Sequence, residues 1–167
     1  MRSADANIPS NCFAYFALMK GAFLALRDVR LQIASEGYPR DRYFTVQPNH
    51  QKDRLILPPF DYVKTLESAA YNYGISGHPQ GDQVRAYLTR VVAFAKRGLP
   101  QEEHHYLKPF ETMLDVRENW SDELLRYARR EELVQHDALV PDGAKQLRLY
   151  ANEVFMKDLQ KWRGVVR

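Results

Sequence analysis

The sequence predicts a mainly α-helical fold: a single-domain bundle of about five to seven helices, with room for one small β-hairpin near residues 42–57. Three observations carry this expectation. Apolar residues recur at three- and four-residue spacing through most of the chain, which is the period of one helix face. Gly, Pro, Ser and Asp punctuate the boundaries between those stretches. One segment alone replaces the helical period with short runs of aromatic and branched residues.

The bulk properties agree. At 167 residues, with 45% apolar and 27% charged residues, the chain has the size of one domain and is not composed like a disordered one. A chain of about 150 residues buries roughly 70% of its unfolded surface, so a real core is expected.

Each element has its own signal. Residues 1–9 are polar and read as a frayed end. Ser10 or Asn11 caps a first helix expected to run to about Ser35. Its stripe is Cys12, Phe16, Met19, Phe23, Leu26, Val29 and Ile33, and this helix is expected to be the centre of the core. Arg42–Val46 and Asp53–Leu57 then read as a hairpin or an extended crossover around Pro48-Asn49. Pro58-Pro59 opens a helix with Phe60, Val63, Leu66, Ala70 and Tyr73 as its stripe and Gly74 as its stop. After a glycine-containing loop, Asp82 caps a helix that turns Val84, Tyr87, Leu88, Val91, Val92 and Ala95 inward, and Gly98 ends it. Pro109 falls inside the next stripe, Tyr106, Phe110, Met113 and Leu114, and predicts a kink or two short helices. Ser121 caps a further helix with Leu124, Leu125 and Ala128 inward. Pro141 or Asp142 starts the last one, with Leu147, Tyr150, Val154, Phe155, Leu159 and Trp162 inward and Gly164 as its end.

Charge and cysteine usage bound the function. The net charge is +3, a mild excess that does not by itself point to nucleic acid. It is unevenly spread: residues 101–132 carry five basic and nine acidic side chains, whereas 142–167 carry six basic and three acidic. Cys12 is the single cysteine, so no internal disulfide is expected. Asp5 and Lys20 spoil a leader peptide, and no apolar run approaches the roughly 20 residues of a membrane span. A cytoplasmic chain without a membrane partner is the expectation.

No residue pattern carries a strong catalytic signature. Glu102-Glu103-His104-His105, with Glu111 beyond, is the most conspicuous polar cluster. Imidazole and carboxylate are metal ligands and acid–base groups, which makes His104, His105 and Glu111 the candidate metal set. However, adjacent histidines point about 100° apart on a helix, whereas zinc-binding helices space them four apart. The loop with Gly74, Gly77 and Gly81 lacks the Gly-Lys-Ser/Thr ending of a phosphate loop, and Asp82 would oppose an anion there. Cys12 lies on an apolar stripe, as a small hydrophobe does.

Two surface readings remain. Lys145, Arg148, Lys157, Lys161, Arg163 and Arg167 form a basic C-terminal set suited to phosphates. Tyr38, Tyr43, Tyr71, Trp120 and Tyr127 sit near loops or off the main stripes, where aromatics serve protein interfaces. The reading taken is therefore a non-catalytic binding or accessory protein, acting through a protein partner or self-association. A nucleic-acid-binding module on the basic helix is the alternative, and a metal-dependent enzyme around Glu102–His105 the second. The sequence implies no cofactor.

Overall fold

The computed structural model describes residues 9–75, 77–135 and 138–163. They are mainly helical, with six α-helices and two small sheets. The chain divides into two compact units. One is Ala14–Arg117; the other is built from the chain ends up to Phe13 and from Glu118 onward.

The Ala14–Arg117 unit holds most of helix α1 (Pro9–Leu26), strands β1 (Arg30–Ile33), β2 (Thr45–Gln47) and β3 (Arg54–Leu57), and helices α2 (Phe60–Tyr73), α3 (Pro79–Gly98) and α4 (Lys108–Val116). The expected hairpin exists: β2 and β3 pair antiparallel, with Val46 opposite Leu55. A third strand was not foreseen. β1 runs parallel to β3, Leu31 beside Leu55 and Ile33 beside Leu57, giving the order β1-β3-β2.

β1 corrects the first helix. α1 stops at Leu26, so the tail of its expected stripe leaves the helix: Val29 enters the core from a turn and Ile33 lies in β1. Val29 and Ile33 fit a helical spacing, yet β-branched residues also fit a strand, and pairing with a segment far along the chain settled the choice.

Both faces of the central strand β3 are covered, whereas β1 is exposed along its length. Leu55 packs with Ala25, Val29 and Phe94. On the other side Ile56 packs with Ala34 and Tyr43, and Tyr38 and Tyr62 close over them. Phe44 sits between strand and turn at φ 57°, a left-handed conformation uncommon for a bulky residue. Its ring contacts Tyr87 and Phe94 edge-on, each at 5.5 Å, and its N–H donates to the Ile56 carbonyl.

The helix ends follow local chemistry. α2 closes at Gly74, φ 61°, whose N–H donates to the Ala70 carbonyl, a glycine stop as expected. α3 begins three residues before the expected Asp82: Pro79 supplies its first turn, and the His78 ring accepts from the Gln80 N–H at 3.3 Å while stacking on Tyr73. The Pro109 region resolves into two short helices, a 3-10 turn over Gln101–Leu107 and then α4, with Pro109 in the first turn of α4 where its missing N–H costs nothing.

The unit of the chain ends holds α5 (Trp120–Arg130), strands β4 (Val134–Gln135) and β5 (Ala138–Leu139), α6 (Gly143–Trp162) and the first turn of α1. α5 starts two residues earlier than a Ser121 cap would set it. Asn119 is the cap, accepting from the Ser121 and Asp122 N–H groups while Asp122 reaches back to the Asn119 N–H, a capping box. The ribbon β4–β5 was not foreseen. Asp142 precedes α6, as read from the sequence; Gly164 and Arg167 lie outside the described residues.

Candidate interaction surface

α1 is apolar on nearly every side, so period alone cannot say which face it buries. The residues that go inward are the small ones: Ala14, Ala17, Gly21 and Ala25 are buried. Gly21 meets α3 at backbone distance. A Cβ at Gly21 would stand 2.3 Å from the Ala95 carbonyl oxygen, and one at Gly98 would stand 2.1 Å from that of Gly21. Only two glycines permit this crossing. Ala17, Val92, Ala95, Leu99, Leu107 and Leu114 form the core around it.

Close approach through the small face turns the large residues outward. Phe16, Met19 and Phe23 are 69%, 38% and 64% exposed. They follow the i, i+3, i+7 spacing of a single stripe. This corrects the expectation that they are core. Lys20 lies along the same side and is held by Glu103, at 2.7 Å to each carboxylate oxygen. Three large apolar side chains in a row on a helix are more than the scattered exposed hydrophobes of an ordinary surface.

The aromatic candidates scatter. Tyr43 is buried, 6% exposed, under a stack with Tyr38, so it is a core residue and not a partner contact. Tyr38 is half-buried and its hydroxyl accepts from the Gln47 amide. Tyr71 is exposed on α2. In the other unit Tyr127 stacks on Tyr150 with centroids 3.7 Å apart, and Trp120 lies parallel to Tyr150 at 6.5 Å. Tyr150 donates to Glu123 at 3.1 Å; burial first, and then that hydrogen bond, raises its phenol above the usual value.

The basic candidates divide around α6. At about 100° per residue, Lys145, Arg148 and Arg163 share one side, and Lys157 and Lys161 lie roughly 120–160° from Lys145. Lys157 is paired with Glu153 at 2.6 Å and Lys161 approaches Asp158 at 3.7 Å. Neither group makes a continuous phosphate-facing stripe, and Arg167 lies outside the described residues.

The candidate metal set does not converge either. The His104 ring faces the carbonyls of Lys96 and Leu99 at 3.0 and 3.2 Å, and His105 turns to the Glu102 carbonyl. Glu111 pairs with Lys96. Among the described residues no group of three His, Cys, Asp or Glu side chains is placed to hold a metal ion. Glu111 and Lys96 instead line an open depression of about 440 Å³ with Thr89, Val92, Ala93, Leu114 and Asp115.

Sequence reasoning missed Phe16, Met19 and Phe23 as surface residues. The signal that identifies them is the second stripe on the same helix, small residues at 14, 17, 21 and 25. No described helix is long and apolar enough to cross a membrane. No family model matches the chain, and neither a curated protein nor a solved structure matches it.

Proposed function

We propose that this chain is a non-catalytic interaction protein whose α1 face receives an apolar helical surface of a protein partner. The supporting observation is the outward stripe Phe16, Met19 and Phe23. Burying two exposed phenylalanines is worth roughly 1.5–3 kcal/mol each, the scale of interface hot spots. Their i, i+3, i+7 spacing suits ridge-into-groove packing against another helix.

The test is site-specific photo-crosslinking in cells from position 16 or 23, with Thr112, an exposed polar position on α4, as the control. The reading expects one discrete adduct from positions 16 and 23 and none from 112. It also expects the identified partner to bind the purified protein but not the double variant Phe16→Ser/Phe23→Ser. Equal labelling from all three positions, or none from 16 and 23, overturns it.

A further inference from the structure

β1 is an edge strand, with β3 on one side and no strand on the other among the described residues. The Arg30 N–H donates to the Asp53 carbonyl and the Ala34 N–H to the Leu57 carbonyl, both at 2.8 Å. Alternate residues of a strand aim their backbone groups at opposite edges. The even-numbered residues therefore serve β3, and Leu31 and Ile33 aim their N–H and C=O groups at the open edge. Their side chains, 58% and 70% exposed, stand on the sheet face that carries Leu55 and Leu57. An open edge with apolar side chains is a template for another strand.

We infer that β1 pairs with β1 of a second copy of this chain, antiparallel about a two-fold axis at Gln32. Parity selects the register. With Gln32 opposite its own counterpart, Leu31 falls opposite Ile33 of the second copy. Both residues have outward backbone groups, so each such pair exchanges both N–H···O=C bonds. A slip of one residue sets outward groups against inward ones. A slip of two moves one of the bonding residues past the end of the strand. The same register sets leucine against isoleucine on one face, a favourable cross-strand pair.

Charge selects the second copy as the occupant. Arg30 opens β1 beside Arg54, two cations side by side. Glu36 follows the end of β1. Arg30 and Glu36 are both exposed, and neither forms an ion pair among the described residues. Antiparallel doubling brings the start of one strand to the end of the other. Arg30 of each copy then lies near Glu36 of the other, and the two-fold axis repeats the match. This contact uses residues separate from the α1 stripe and stands or falls independently of it.

The experiment is sedimentation velocity on the purified full chain over a concentration series, with variants. A dimer fraction that rises with concentration is expected. Ile33→Pro removes an outward donor that β3 does not use, so the dimer loses two backbone bonds, one from each copy, and association should weaken by about ten-fold or more. Glu36→Arg should weaken it, and the double exchange Arg30→Glu/Glu36→Arg should restore it; these surface changes also serve if Ile33→Pro fails to fold. In a Cys12→Ala background, Gln32→Cys should form an intermolecular disulfide, because a non-hydrogen-bonded antiparallel pair sets its Cα atoms about 4.5 Å apart. Phe16→Ser/Phe23→Ser should leave the dimer intact. A folded chain that stays monomeric throughout overturns the inference. So does a dimer indifferent to both the charge exchange and Ile33→Pro, or one lost with Phe16→Ser/Phe23→Ser.

Discussion

The buried Asp158 carboxylate accepts two hydrogen bonds from Ser10, one from its backbone N–H at 2.6 Å and one from its hydroxyl at 2.5 Å. Ser10 is in the first turn of α1, where N–H groups lack intrahelical partners. An acid on α6, 148 residues away, thus does the work of a local cap. Trp162 completes the arrangement, donating to the Ser10 hydroxyl at 2.9 Å while its ring packs on Phe13.

Asp158→Asn removes the charge and sets an amide donor against Ser10 donors. Charge-assisted hydrogen bonds are worth about 1.5–3 kcal/mol, so a loss of that size is expected in urea unfolding followed by tryptophan fluorescence. A loss below about 0.5 kcal/mol, the range of inert surface changes, contradicts the role.

Gly21→Ala should destabilise the Ala14–Arg117 unit although alanine favours helix by about 1 kcal/mol. The added methyl meets the Ala95 carbonyl, which is backbone and cannot swing aside. Overpacking of this kind costs typically 1–3 kcal/mol. Thermal melts of Gly21→Ala and Gly98→Ala check it; a variant as stable as the parent contradicts the crossing.

Phe16→Ser/Phe23→Ser should behave in the opposite way. Exposed positions change stability within about ±0.5 kcal/mol, so chemical unfolding should be nearly unchanged while partner capture is lost. Strong destabilisation would place these rings in the core.

Burial raises the phenols of Tyr62 and Tyr87 above their usual value of 10.0, outweighing the nearby Arg90 that lowers both. In the unfolded chain they ionise near that usual value, so the folded state holds its protons longer. Their contribution is complete below about pH 10 and is lost as pH rises through the raised folded values. Tyr87→Phe should flatten the fall in stability above that pH, and tyrosinate absorbance should appear later in the folded than in the unfolded protein.

Much of the fold is legible in the sequence because its signals are local. Pro59 and Gly74 bracket α2, Gly98 closes α3, and Pro109 divides its segment. The orientation of α1 is not legible from its period, since large and small residues both form stripes on it. Backbone contact at Gly21 and Gly98 decides between them, and that depends on a helix some seventy residues away. β1 was missed for a related reason. Val29 and Ile33 continue the helical spacing, and the parallel pairing with Arg54–Leu57 is non-local. Tyr43 reads as a surface aromatic because it sits near a loop and off the main helical stripes; its partners Ala34 and Ile56 come from either side of it in sequence.

Everything proposed for α1 depends on which of its faces meets water, and hydroxyl-radical footprinting of the unmodified protein measures that directly. Phe16 and Phe23 should oxidise many times faster than Phe94, a residue of the same chemistry that is 3% exposed. Equal protection of the three phenylalanines in dilute protein would contradict the account, because α1 would then bury its large face.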